Sequence, residues 1–422
     1  MGIKPGFKQT EVGVIPEDWD VRPLSEIAQD GSPICYGIVQ VGPFVENGIP
    51  VLAIKNLNCD YVSNIHQASV EVERLYVRSR VQPNDVVISV KGTTGRVGIV
   101  PNHFTGNISR DIARVRLRED VDPKYVFHML QSGLSQNRLS SAAVGTTRME
   151  LSISILKDVC IPIPPTKTEQ EAISVPLGLA DALIESLERL IAKKRHLKQG
   201  VKQELLTGKM RLPGFGEEWE RVKVGDVIQK YFCGPSPTCE ERNIVNEEEW
   251  GVLKTTAITW EYGWDWTKHK TLPRVFWNRP DQEVRAGDVI VTKAGPRHRV
   301  GVTCWVDFAP ERIVVSGKMI ALRPSPERAV PFMLSAAISA RDTQEFLNQR
   351  TTGMAESQVN FENEALIQAP ILLPRLDEQV AITAILTDMD DDITTLENKL
   401  TKARQLKTGM MQELLTGRIR LT

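Results

Sequence analysis

The sequence predicts an α+β protein in which two globular, mixed α/β units are joined by two long antiparallel coiled-coil helices, in a pseudo-twofold, circular arrangement. The first observation behind this is a repeat. The hexapeptide Gln-Glu-Leu-Leu-Thr-Gly occurs at Gln203 to Gly208 and again at Gln412 to Gly417. Sliding the chain on itself by the same offset also pairs Glu169-Gln170 with Glu378-Gln379, Ala172-Ile173 with Ala381-Ile382, Ile184 with Ile393, Leu187 with Leu396, and Arg211-Leu212 with Arg420-Leu421. Solenoid repeats recur every 20 to 50 residues or so, so a period this long means two tandem domains, and any binding site is expected in two related copies. The second observation is that the best-matched segments are helical in pattern, whereas the stretches between them are not.

Taken in order, the chain divides into a globular unit (residues 1–165), a long helix (166–212), a second globular unit (213–374) and a second long helix (375–422). Within the units, short β-like runs such as Val86-Val87-Ile88-Ser89-Val90 and Val289-Ile290-Val291-Thr292 alternate with turns rich in Gly, Pro and Asn. The two units correspond at landmarks: Glu17-Asp18-Trp19 with Glu217-Glu218-Trp219, Asn84-Asp85-Val86-Val87 with Gly287-Asp288-Val289-Ile290, and Arg96-Val97-Gly98 with Arg299-Val300-Gly301. Elsewhere they diverge.

In the first helical segment Leu177, Ile184 and Ile191 recur every heptad, with Ala180 and Leu187 offset from them; Leu386, Ile393 and Leu400 with Met389, Leu396 and Ala403 repeat the stripe. Such an a/d seam requires a partner helix, and the two seams can seal one another. A helix from Glu169 to Leu206, at about 1.5 Å per residue, is roughly 55 Å long and suits a spacer. Pro164-Pro165 and Pro374 end the extended segments before the helices, and Gly208 and Gly417 stand in C-cap position. Antiparallel pairing would bring Arg420-Leu421 to the start of the chain, as Arg211-Leu212 runs into Pro213-Gly214-Phe215, an echo of Pro5-Gly6-Phe7. Helices that match and globular units that diverge indicate a common scaffold carrying two readers of different things.

Composition narrows the classes. With 422 residues, 41% hydrophobic and 25% charged, this is ordinary globular composition. No apolar stretch is long enough to span a bilayer and the N-terminus lacks a signal-peptide core, so a cytoplasmic protein with no membrane partner is expected. Cys35, Cys59, Cys160, Cys233, Cys239 and Cys304 show no CxxC spacing and suit free thiols. The net charge of −1 gives no global attraction to nucleic acid, so any such binding must come from local patches, such as the run from Lys193 to Arg211.

No catalytic constellation is present: no GxxxxGK[ST], HExxH, Cys/His zinc array, GxSxG elbow or Asn-Pro-Pro-aromatic motif. The loops Gly92-Thr93-Thr94-Gly95-Arg96 and Gly295-Pro296-Arg297-His298-Arg299 have glycines before a base but open no helix, unlike a nucleotide cradle. The chain is expected to do no chemistry alone.

Several of these segments carry a family resemblance over nearly the whole length. Trp19 and Trp219 opening each unit, the Asp85-Val86-Val87-Ile88 to Gly92-Thr93-Thr94-Gly95-Arg96-Val97-Gly98-Ile99-Val100 block, Gly145-Thr146-Thr147 before Ile161-Pro162-Ile163-Pro164-Pro165, Glu169-Gln170 and Leu205-Leu206-Thr207-Gly208 resemble the specificity subunit (HsdS) of type I restriction-modification systems. The second copy departs from the pattern, with Ala294-Gly295-Pro296 in place of Lys91-Gly92-Thr93 and Arg350-Thr351-Thr352-Gly353 rearranging Gly145-Thr146-Thr147-Arg148. The resemblance implies two target recognition domains, each reading one half of an asymmetric bipartite site in double-stranded DNA, with the helices setting the spacer. It also implies two methyltransferase subunits carrying S-adenosylmethionine and motor-nuclease subunits using ATP and Mg, so this chain itself should hold no cofactor and no metal.

Major-groove readers are polar or basic side chains on loops. The candidates are Lys55, Asn56, Lys91, Thr93, Thr94, Arg96, Arg110 and Arg148 in the first unit, and Lys254, Thr255, Lys293, Arg297, Arg299, Lys318 and Arg350 in the second. The cluster Trp260, Tyr262, Trp264, Trp266, Lys268 and Lys270 reads either as core and edge-strand packing or as a base-stacking platform. Leu183, Leu190 and Leu197 lie off the a/d seam and are candidates for meeting partner helices, or for widening one buried stripe. The competing reading is a non-DNA tandem adaptor that binds two proteins through its units; it leaves the Lys and Arg on the turn loops of both units unexplained.

Overall fold

The computed structural model describes residues 5–57, 61, 63–145, 149–259 and 263–421, the side chain of Met354 excepted. Arg148, Trp260, Tyr262 and Cys59, singled out from the sequence, lie outside the described residues. The chain forms two compact units, one comprising residues 1–190 with 396–422 and the other residues 191–395, so the division falls within both long helices.

Each unit is built around a four-stranded antiparallel sheet. In the first its spatial order is Cys35–Tyr36, Ile112–Val115, Val86–Ser89, Val97–Ile99; in the second it is Ile228–Phe232, Met319–Pro324, Val289–Thr292, Thr303–Trp305. Every residue of Val86–Ser89 and Val289–Thr292 is buried, which is why these runs are apolar without alternation: both faces of the strand are covered. Val86 and Ile88 pack on Tyr125, Val126 and Met129 of the helix Pro123–Gln131, while Val87, pointing the other way, joins Leu52, Leu57 and Ile108. The second unit repeats this, with Val289 and Val291 toward Met333 and Leu334 and Ile290 toward Leu253 and Ile313. A three-stranded sheet covers that second face: Ile49–Leu52 lies between Asn107–Ile108 and His66–Ala68, and Gly251–Leu253 between Ile313–Val314 and His269–Thr271.

Each insert leaves and rejoins the helical scaffold through a two-stranded ribbon, Asp20–Pro23 with Cys160–Ile163 and Glu220–Lys223 with Pro370–Leu373. The first long helix runs Lys167–Leu206 and the second Leu376–Leu414. Within the first unit Ile173 and Leu177 share a core with Leu414 and Leu415; within the second Leu205 shares one with Ile382 and Leu386. In each unit, therefore, the start of one helix lies against the end of the other, antiparallel, with seam residues such as Leu177, Ile191, Leu386, Ile393 and Ala403 buried.

Polar pairs lock each seam and are themselves duplicated. Arg420 donates to both oxygens of Glu169 at 2.9 and 2.8 Å, and Arg211 to both oxygens of Glu378 at 2.8 and 2.7 Å. Next to each carboxylate a glutamine finishes the backbone accounting: Gln170 accepts from the Asp122 amide at 2.8 Å and Gln379 from the Val330 amide at 2.9 Å, each at the start of a globular helix. Lys407 meets Asp181 at 2.5 Å, and Lys198 meets Asp390 in the matching place of the other unit. Gly208 and Gly417, at φ 68° and 65°, adopt the left-handed turn that ends each helix and press against Trp219 and Trp19. The repeated Glu-Gln and Leu-Thr-Gly-x-x-Arg-Leu segments are thus the two halves of one clasp, made once in each unit.

One landmark correspondence needs correction. The sequence aligns Arg96-Val97-Gly98 with Arg299-Val300-Gly301, but the backbone pairs Gly95 with Gly301. Both have φ 83°, both donate their amide to the carbonyl of the last residue of the preceding buried strand (Ser89 and Thr292), and both receive a glutamine amide on their carbonyl, from Gln136 at 2.9 Å and Gln344 at 3.0 Å. The demand for a residue tolerant of positive φ, and not the arginine, fixes this position.

Candidate nucleic-acid interface

A groove opens at the same place in both units, where the middle strand of the three-stranded sheet passes into a 3₁₀ turn, beside the loop that leads into the four-stranded sheet. In the first unit it encloses about 390 Å³, lined by Ile54, Lys91, Gly92, Arg110, Asp111, Met149 and Glu150. In the second it encloses about 450 Å³ and draws on Ser236, Cys239, Glu241, Lys254, Thr255, Lys270 and Lys318. The backbone is shared: Ile49–Leu52 leads into the turn Ile54–Asn56, and Gly251–Leu253 into the turn Thr255–Ala257. The side chains presented are different.

Of the residues singled out from the sequence, Lys91 and Arg110 meet in the first groove, and Lys254, Thr255 and Lys318 in the second. Lys91 is held at 3.0 Å by Glu150 across the short ribbon of Lys91–Gly92 with Met149–Glu150, and Arg110 lies 3.7 Å from Asp111. Lys55 sits in the adjoining turn. Thr93, Thr94 and Arg96 belong to the hairpin loop above Val86–Ser89, where Thr93 and Arg96 are exposed and Thr94 is half-buried. Lys293 donates to Asn363 at 2.8 Å, Arg297 forks onto Glu356 at 3.0 and 2.9 Å, and Arg350 lies over the ring of its own helix's Phe346.

Asn56 and Arg299 serve turn backbones of the fold itself. Asn56 is buried and accepts from the Ala53 amide at 3.0 Å, closing its turn. Arg299 reaches into the turn carbonyls of Thr255 and Ile258 and so braces the wall of the second groove from behind. Trp264 likewise packs against the core and donates to the Phe308 carbonyl at 2.7 Å, whereas Trp266 stacks on His269 near the surface.

Glu241 was missed by sequence reasoning, and Lys270 was grouped only with the aromatic cluster. Lys270 alternates with buried His269 and Thr271 on its strand, a period-2 signal that points it outward. Glu241 lies in irregular chain with no such signal.

Among the described residues no group of His, Cys, Asp and Glu is arranged to hold a metal, and no helix is long and apolar enough to cross a membrane. Cys35, Cys160, Cys233, Cys239 and Cys304 are free. Burial pushes the Cys160 thiol up to about 11, and the Cys35 and Cys239 thiols are raised by the same cause, so these sulfurs stay protonated and unreactive.

Comparison with known proteins places this architecture. The model of the type I restriction modification DNA specificity domain matches residues 16–193 and again 216–405. The EcoEI type I specificity subunit of Escherichia coli is 34% identical over 46% of this chain and 33% of its own length, and the EcoBI subunit of the same species is 27% identical over 47% and 43%. The chain therefore spans less than half the length of these two relatives in the matched region. The crystal structure of the type I restriction-modification S subunit from M. genitalium, at 16% identity, superposes over 98% of both chains with a TM-score of 0.58, a likeness of fold.

Proposed function

Because the chain belongs to the type I restriction modification DNA specificity family, whose model it matches twice, we propose that it is the DNA-reading subunit of such a system. Each unit reads one half of a bipartite, asymmetric site in double-stranded DNA, and the chain contributes recognition while partner subunits carry the chemistry. The observation that carries this reading is the pair of grooves: the same backbone position in both units, lined in each by lysine or arginine with hydroxyl or carboxylate neighbours, yet with different side chains. Two sites of this kind on one chain gain affinity from being joined, and unlike grooves make the target asymmetric.

The domain limits 1–165, 166–212, 213–374 and 375–422 are the working division, with the two helical segments fixing the number of base pairs between half-sites. Of the singled-out residues, those exposed at the grooves and the adjoining hairpin loops are proposed to touch bases or phosphates. Phosphate contacts would position the units and groove contacts would specify sequence.

The partners proposed are two methyltransferase subunits binding S-adenosylmethionine and, in the full complex, motor-nuclease subunits using ATP and Mg, in the cytoplasm. A docking surface for the methyltransferases is available on the first long helix, where Val175, Leu179, Leu183 and Leu190 are exposed on one flank in the first unit and Leu197 in the second. Against a non-DNA adaptor stands the family membership together with cationic grooves in both units.

Single-molecule sequencing of the host genome with and without this gene tests the proposal. A split adenine-methylated motif with two unlike halves should vanish when the gene is removed. A methylation pattern that does not change on removal would refute it.

A further inference from the structure

The second groove holds a carboxylate among its cations. Glu241 has a side chain 68% exposed, yet its two oxygens are engaged, one by the Lys270 ammonium and the other by Lys254 at 3.5 Å. The Lys270 hydrogen bond, aided by Lys254, holds the carboxyl below its usual range, so it is an anion in the working molecule. Lys270 lies on the strand paired with Gly251–Leu253, and Lys254 directly follows that strand, so two paired backbones present both ammonium groups at one rim. Lys318 completes the lining.

For a surface that only gripped phosphates this arrangement is counterproductive, since the carboxylate cancels the attraction of its neighbours and repels the DNA backbone. It is well suited to the edge of a base pair. In the major groove an exocyclic amino group, N4 of cytosine or N6 of adenine, is the donor, and acceptors lie beside it: O6 and then N7 of guanine on one side of the cytosine N4, or O4 of thymine and N7 of adenine on either side of the adenine N6. The amino group and the carbonyl it pairs with are about 2.9 Å apart. A carboxylate in contact with an ammonium faces such an edge with acceptor opposite donor and donor opposite acceptor.

Resting on the reading of the chain as a DNA-specificity subunit, we infer that Glu241 is a specificity-determining residue of the second unit: its carboxylate accepts the exocyclic amino group of one cytosine or adenine, while Lys254 and Lys270 donate to the acceptors beside it. The first groove carries the same chemistry on different residues, with Glu150 against Lys91 beside Arg110.

The test is selection from a randomised duplex library by the full chain, copurified with its methyltransferase partners, as wild type and as Glu241→Ala and Glu241→Gln. Glu241 is exposed and outside both cores, so thermal melting should be the same for all three. Glu241→Ala should lose preference at a single position of one half-site, roughly ten-fold, with every other position kept; whether the base lost is cytosine or adenine identifies the amino donor. Glu241→Gln, which adds a donor beside the acceptor, should favour adenine at that position, a switch where the wild type selects cytosine and a kept preference, in contrast to Glu241→Ala, where it selects adenine. Uniformly tighter binding to all sequences with a steeper salt dependence would show that Glu241 only screens the lysines, and it would overturn the inference while leaving the function standing; unchanged selection would do the same. A wild-type complex that selects no sequence would overturn both.

Discussion

The clasps and the grooves of the two units have diverged to very different degrees. In the clasps the correspondence is atom by atom: Arg420 on Glu169 and Arg211 on Glu378, Gln170 and Gln379 on the backbone of a globular helix, Gly417 against Trp19 and Gly208 against Trp219. Inside the sheets the likeness persists, with Arg116 forked on Asp85 and Arg323 forked on Asp288 at 2.7 to 2.8 Å. At the groove rims it stops: Asp111 stands where the second unit has Lys318, and Glu150, opposite Lys91, stands where the second unit has Asn360 opposite Ala294. A duplicated chain that keeps its buried ion pairs and changes its rims is one scaffold carrying two unlike surfaces, which is what the proposed reading of two half-sites requires.

The strongest way to break this comparison is to cut one clasp at a time. Glu378 is 3% exposed, so Arg211→Ala would strand a buried carboxylate and should destabilise the second unit by about 3 kcal/mol. Arg420→Ala should cost the first unit a similar amount, since Glu169 is 9% exposed and, among the described residues, keeps only Trp19 as a side-chain donor. Urea denaturation of the full chain measures both. A loss below about 1 kcal/mol for one and not the other would mean that the clasps are not equivalent.

A buried histidine sharpens the contrast. His128, in the first unit, is pushed down to about 4, chiefly by burial, against the pull of Asp181, 3.7 Å away, whose charge Lys407 already takes up; Asp122 and Lys124 also bear on it. The matching helix of the second unit, Pro331–Ser339, contains no titratable side chain. Above about pH 6.5 His128 is neutral folded and unfolded and gives no pH dependence. As the pH falls from about 6.5 toward about 4 the unfolded chain takes up a proton that the folded one refuses, and stability drops by about 3 kcal/mol. Melting against pH should show this loss, and His128→Gln should remove it while leaving the second unit's own pH dependence as it was.

The two tryptophans give a smaller difference. Trp19 is fully buried and its indole N–H reaches Glu169 at 3.3 Å, whereas the Trp219 N–H is buried without a hydrogen-bond partner among the described residues. Trp19→Phe should cost about 1 kcal/mol more than Trp219→Phe, for which the lost N–H was unsatisfied already. Equal costs in thermal melts would show that the Glu169 bond contributes little.

Much of the scaffold was legible because its causes are local and periodic. The heptad of Leu177, Ile184 and Ile191 announces a seam, and the repeated Glu169-Gln170 and Arg211-Leu212 segments announce that both copies do the same thing. What they do was not legible, because Arg420 and Glu169 meet only after the chain has folded back on itself. The slip between Arg96 and Arg299 has the opposite origin: short Arg-Val-Gly strings recur cheaply, and only the backbone shows that a glycine at φ 83° is the shared feature. The grooves were partly legible, since Lys91, Arg110, Lys254, Thr255 and Lys318 all flank recognisable strands. Asn56 and Arg299 read as surface polar groups from the sequence, but their atoms satisfy turn backbones, a use that depends on neighbours distant in sequence. Glu241 carried no periodic signal.

The claim that each groove reads its own half-site is tested most directly by exchanging residues 20–160 for the equivalent segment of another family member and sequencing the methylated motif. The account predicts that one half of the motif changes while the other half and the spacing stay as they were; a motif altered in both halves would contradict it.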